Sequence, residues 1–131
     1  MDALVRAALA ARAQAYAPYS RFAVGAALRC EGGAIHAGCN VENAAYPQGS
    51  CAEAGAISAM VLAGGRRIAE IVVAGAGAEP CTPCGGCRQR LREFGGPDLL
   101  VRVMDENGAE RLRRRLSELL PDSFGPENLS G

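Results

Sequence analysis

The sequence predicts an α/β fold: a single three-layer α-β-α domain over residues 1–131, with a mixed five-stranded sheet and helices on both faces. Three observations carry this expectation. A chain of 131 residues suits one domain and can bury about two thirds of its unfolded surface. Its apolar periodicity alternates between helical and strand spacing in the order α-β-β-α-β-α-β-β. No repeat, linker or low-complexity segment interrupts that order.

Residues 2–16 read as a helix, with Asp2 placed to cap it and Leu4, Val5, Ala8, Leu9, Ala11, Ala15 and Tyr16 recurring on one side. Ala17-Pro18 closes it, because a residue before proline avoids helical torsions. From Phe22 to Cys30 the larger apolar residues alternate as in a strand, Glu31-Gly32-Gly33 turns, and residues 34–41 return as its hairpin partner. Residues 40–50 are loop-like. A small-residue helix spans 52–62 and stops at Gly64-Gly65. Ile68 to Ala74 is a buried strand, 75–83 a loop, and 86–94 a further helix closed by Gly95-Gly96-Pro97. Leu99 to Met104 forms the fourth strand, 105–108 a turn, 109–112 a short fifth strand, and 116–120 a helical turn before Pro121.

Composition narrows the chemistry. All 14 Lys+Arg residues are arginines, which balance 14 acidic residues. Without lysine there is no Schiff base and no P-loop. His36 is the single histidine, so a metal site built from several imidazoles is excluded within one chain. Neutral charge argues against a nucleic-acid partner, since that affinity rests on cation clusters. The run Arg111, Arg113, Arg114 and Arg115 stands beside Glu110 and Glu118 and reads as a solvated or subunit-contacting face. Arg6 and Arg12 break up the N-terminal apolar residues, so no signal peptide is expected. No apolar stretch reaches the roughly 18 residues of a membrane span. A cytoplasmic protein is expected, its six cysteines reduced thiols or metal ligands and not a disulfide framework, and the question becomes what those thiols do.

Two elements answer it. Pro83-Cys84-Gly85-Gly86-Cys87 sets two thiolates three residues apart at the start of a helix. Cys51-Ala52-Glu53 sets a third at the start of another, with one strand between the two helices. Right-handed crossovers bring the helix starts side by side. Three thiolates on a tetrahedral zinc leave one position for water, the pattern of a catalytic site. Glu53 follows Cys51 closely enough to face the ion without binding it and to move protons between water and substrate. Zinc nucleobase deaminases combine Cys₃ ligation, an unligated Glu and the signature P-C-x-x-C. Spacing alone leaves alternatives open. Cys81 could complete a closed Cys₄ site in a structural zinc module, or Cys81, Cys84 and Cys87 could belong to an iron–sulfur cluster. Cys30 and Cys39 fall among the apolar hairpin residues and read as core.

The sequence resembles the small homotetrameric cytidine deaminases over nearly its whole length. The matching stretches are residues 17–27 (APYSRFAVGAA), 38–46 (GCNVENAAY), Cys51-Ala52-Glu53, 83–89 (PCGGCRQ) and 118–124 (ELLPDSF). The resemblance implies one Zn²⁺ per subunit on Cys51, Cys84 and Cys87, with Glu53 as the proton shuttle. It implies Phe22 against the pyrimidine, and Asn40 and Glu42 on the ribose hydroxyls. Tyr46 and Phe124 would reach into a neighbouring subunit's site, so the homotetramer would complete the active sites. The implied substrates are cytidine and 2′-deoxycytidine, with a modified cytosine nucleoside as the alternative. One departure stands out: many relatives carry Arg after the Cys-Ala-Glu, against the thiolates, where this chain has Ala54. Helix N-termini offset part of the thiolate charge, and Arg88 is the sequence's candidate for the rest.

Overall fold

The computed structural model describes residues 1–130. Asp2 caps the first helix, α1 (Ala3–Arg12), by accepting from the Val5 backbone N–H at 2.9 Å. The helix ends four residues before the expected Tyr16. Its buried stripe, Leu4, Val5 and Ala8, is already complete, and Tyr16 finds better partners elsewhere. The Tyr16 N–H donates to Asn40 O and its carbonyl accepts from the Glu42 N–H, joining Tyr16 to Val41 in a short parallel bridge.

Strand β1 (Val24–Cys30) and strand β2 (Ile35–Cys39) form the expected hairpin, turning at Gly33 with φ 96°. The second strand stops at Cys39 and not at Val41, because Val41 pairs with Tyr16 and Ser50 in place of β1. Helix α2 (Ala52–Leu62), strand β3 (Ile68–Gly75), helix α3 (Gly85–Gly95) and strand β4 (Leu100–Met104) follow within a residue or so of their expected bounds. Strand β5 runs over Glu110–Arg115, longer than the predicted 109–112, and helix α4 occupies Leu116–Leu119. The extension consists of arginines, which an edge strand tolerates and which also discourage edge-to-edge pairing.

The sheet order is β2-β1-β3-β4-β5, with β3 and β4 parallel and the other neighbours antiparallel. This is the mixed five-stranded sheet the sequence predicts. On one face Ala56, Met60 and Leu91 of α2 and α3 close over Ala26, Leu28, Ile71, Val73 and Val101. On the other, Leu4, Val5 and Ala8 of α1 cover Ala27, Val72 and Ala74. Cys30 joins the first core. Cys39 lies opposite Gly25, on the α1 side, and is only half-buried. Neighbouring residues of the central strands therefore serve alternate helical layers.

Both crossovers, β2–α2–β3 and β3–α3–β4, lie on the same sheet face, so the two helices begin next to each other. The C-terminal segment returns across α3. Buried Arg92 donates to Ser123 Oγ at 2.8 Å and grips both Glu127 oxygens, and Gln89 Nε2 donates to Phe124 O at 2.8 Å. No helix among the described residues is long and apolar enough to cross a membrane.

Candidate active site and metal centre

Cys51 and Cys84 occupy equivalent places, each the extended residue preceding the first turn of its helix, α2 or α3. Cys87 follows within the first turn of α3 and is fully buried. The Sγ atoms of these three residues all lie within 4.8 Å of one another. Thiolates at about 2.3 Å from a tetrahedral zinc ion stand about 3.8 Å apart, so this donor set fits zinc. Cys81 is outside the cluster. A closed Cys₄ site and an iron–sulfur cluster both need a fourth thiolate that the fold places elsewhere.

Burial raises the Cys51 and Cys87 thiols, while the Cys87 backbone N–H lowers that of Cys84. Thiols held back from ionising this way give up their protons when a cation arrives. Burial pushes Cys81 up to about 11, which leaves it a neutral thiol. Glu53, in the first turn of α2, is only 4% exposed. Burial raises its carboxyl, against opposing hydrogen bonds and the nearby Arg90 charge. A raised carboxyl next to a metal-ligand cluster is suited to accepting and returning a proton.

Cys51, Cys84 and Glu53 open into a hollow of about 190 Å³, lined also by Phe22, Val24, Asn40, Cys81 and Thr82. Asn40 shapes its wall: Nδ2 donates to Phe22 O at 2.8 Å, and Oδ1 accepts from the Val24 N–H at 2.9 Å. Arg21, in the left-handed region with φ 58°, turns the chain into Phe22. Glu42 organises the same approach from outside. Its carboxylate accepts from the Tyr19 N–H at 2.9 Å, the Ser20 N–H at 3.1 Å and the Ser20 hydroxyl, which together hold it below the usual carboxylate range.

Not every predicted residue meets in one place. Phe22, Asn40, Glu53 and the three ligands converge. Glu42 and Tyr46 line a second hollow of about 360 Å³ with Tyr19, Ser20, Asn43 and Gly49. Phe124 stands 56% exposed in a third depression, beside Gln89, Glu93 and Leu129. His36 sits on β2 opposite Leu28, away from the thiols.

Arg88 is not the cation against the thiolates. Its guanidinium is spent on carbonyls, donating to Pro83 O and Leu119 O at 2.7 Å each. Arg90 takes that place, with NH1 3.7 Å from Cys87 Sγ. On a helix the residue three places on lies above its partner, whereas the adjacent one is rotated away. That spacing is what lets Arg90 reach Cys87 Sγ. Cys81 and Thr82 carry no sequence signal for their place in the lining.

An α/β sheet with a three-thiolate centre at two paired helix starts, and a buried unligated carboxylate beside it, defines a zinc-dependent hydrolytic enzyme of the deaminase class. Residues 1–103 match the zinc-binding region of cytidine and deoxycytidylate deaminases. The chain is 43% identical to the cytidine deaminase of Mycobacterium tuberculosis over 120 residues, 91% of this chain and 85% of that one. It is 39% identical to that of Sporosarcina psychrophila over 130 residues, 99% of this chain and 95% of the relative. The crystal structure of cytidine deaminase from Burkholderia pseudomallei superposes with a TM-score of 0.87 at 47% identity, covering 93% of this chain and 97% of its own. The chain belongs to the cytidine and deoxycytidylate deaminase family.

Proposed function

We propose that this protein deaminates cytidine and 2′-deoxycytidine hydrolytically to uridine and 2′-deoxyuridine, releasing ammonia. What supports the reading above all is Glu53: a buried carboxylate beside three convergent thiolates, at the wall of a hollow entered past Phe22 and Asn40. Zinc, when held by Cys51, Cys84 and Cys87, supplies the Lewis acidity that makes water a nucleophile at neutral pH. Glu53 takes the proton of the attacking water and gives it to the ring nitrogen N3. A C4–O bond forms, Glu53 carries the second water proton to the amine, and the C4–N bond breaks to free ammonia. One water is consumed, and the carboxylate returns to its starting state.

Phe22 packs its ring on the pyrimidine, and Asn40 and Glu42 hold the ribose hydroxyls, Glu as acceptor and Asn as donor and acceptor. Ligand sites usually measure about 300–1,000 Å³, so a hollow of 190 Å³ calls for a further wall. Tyr46, 74% exposed, and Phe124 supply it from neighbouring subunits of a homotetramer. We also take the protein to be a single domain over residues 1–131, cytoplasmic, and without a nucleic-acid partner, consistent with its balance of 14 cations and 14 anions. A free nucleoside is preferred over a nucleotide.

A steady-state ultraviolet assay on cytidine, with metal analysis of the same sample, tests this. Turnover should accompany one zinc per chain. Glu53→Gln should keep zinc and fold while turnover falls by about two to four orders of magnitude. Near-normal turnover in that variant, or a faster rate on dCMP than on cytidine, would refute the assignment.

A further inference from the structure

Three thiolates around one Zn²⁺ leave a net charge of about −1, which a buried Glu53 makes more negative. Two of the thiolates have backbone help. Cys51 and Cys84 stand at the positive N-terminal ends of α2 and α3. Cys87 stands three residues beyond the α3 end, where the effect has weakened. It is fully buried inside the first turn of α3, and among the described residues the cationic side chain that bonds its sulfur is Arg90, 3.7 Å away.

Other cations near the site are committed elsewhere. Arg88 is bound to two carbonyls, and Arg12 Nε donates to Ala23 O at 3.1 Å. Arg90 pairs with no carboxylate among the described residues. The surroundings leave room for its approach. A Cβ on Gly86 would stand 3.3 Å from Arg90 NH1, and Ala54, across on α2, contributes only a methyl group to the depression that Arg90 lines.

We propose that Arg90 is the positioning residue whose guanidinium, donating an N–H to Cys87 Sγ and placing its positive charge there, lets this all-thiolate site hold zinc tightly. It touches no substrate and acts through Cys87. The inference rests on Cys51, Cys84 and Cys87 being the zinc ligands, so its test treats the two questions separately.

Zinc affinity is measured by competition with a chromophoric chelator for the wild-type protein, Cys87→Ser, Arg90→Ala, Arg90→Gln and Arg90→Lys. Cobalt-substituted samples report the thiolate-to-metal charge-transfer band, and circular dichroism of the metal-free proteins reports the fold. If the ligand assignment holds, wild type binds one zinc and Cys87→Ser loses it. Partners that hydrogen-bond a metal ligand typically contribute ten- to a hundredfold in affinity, so Arg90→Ala should bind zinc about ten- to a hundredfold more weakly. Its cobalt band should move to longer wavelength, because a sulfur without its hydrogen bond gives up electrons more readily. Arg90→Lys should recover most of the affinity, and Arg90→Gln, a donor without charge, should not. Metal-free helix content should stay unchanged throughout. An Arg90→Ala affinity within about twofold of wild type, or an unmoved cobalt band, overturns the proposal. So does wild-type affinity in Arg90→Gln, which would make charge irrelevant. A wild-type chain that takes up no zinc overturns the ligand assignment as well.

Discussion

Cys81, Cys84 and Cys87 are evenly spaced in sequence, and spacing alone cannot divide them. The fold does. Helix α3 begins only at Gly85, after the extended N-cap Cys84, and Cys81 is left three residues upstream of Cys84 and so outside the helix-start geometry. It becomes a half-buried neutral thiol in the wall of the hollow. Cys81→Ser should therefore retain one zinc per chain and turnover within about threefold of wild type, as a near-isosteric change away from the ligands should. Metal analysis and the cytidine assay check this together, and loss of zinc would mean four ligands after all. The ligands and Glu53 were legible because metal chemistry constrains residue type and helix position at once. Arg90 was not legible, since an arginine three residues beyond a ligand is an ordinary pattern on any helix surface. Only its approach to Cys87 Sγ gives it meaning.

At the scale of elements, what places the site is how closely two helices reach the sheet. Gly25 and Gly38 sit in adjacent paired rows of the β1–β2 hairpin and point to opposite faces. A Cβ on Gly25 would lie 2.0 Å from Ala8 O in α1, and one on Gly38 would lie 2.4 Å from Ala56 N in α2. Backbone cannot retreat as a flexible side chain can. Gly38→Ala must push away α2, the helix that carries Cys51 and Glu53. We expect a loss of about 1–3 kcal/mol in stability, with weaker zinc binding and turnover following from the displaced helix. Urea denaturation with a chelator titration measures both, and unchanged values would show that α2 has more freedom than this packing allows. The same elements explain what sequence could and could not reveal. The hairpin, α2 and α3 announce themselves through periodicity and glycine stops. The arginine-rich half of β5 has no apolar alternation beyond Leu112, and α1 ends where Tyr16 finds sheet partners 24 residues or more away, information no local window contains.

The whole molecule is tied at its far side by charge. Arg102, with its side chain 12% exposed, bonds Asp2 at the cap of α1, Glu70 on β3 and Glu110 on β5, and Glu70 also binds Arg29. One guanidinium thus links α1 to the middle and the edge of the sheet, at the surface away from the thiols. The opposite side is left incomplete: Tyr46 and Phe124 are exposed, and the hollow beside Glu53 is small for a nucleoside. If Phe124 of one subunit completes another's site, then Glu53 and Phe124 need not come from the same chain. Phe124→Ala should raise the Michaelis constant for cytidine while zinc content and the tetramer persist, and Glu53→Gln should be almost inactive. In the proposed homotetramer, co-expression of the two variants gives mixed assemblies in which half the sites keep Glu53 and half of those meet an intact Phe124. Random assembly should then restore about a quarter of the wild-type rate at low substrate concentration, well above either variant alone. If Phe124 serves only its own chain, mixing restores nothing, since each site with Glu53 lacks its aromatic partner. The separation of the two residues on one chain, one in the 190 Å³ hollow and the other in a depression across α3, favours restoration.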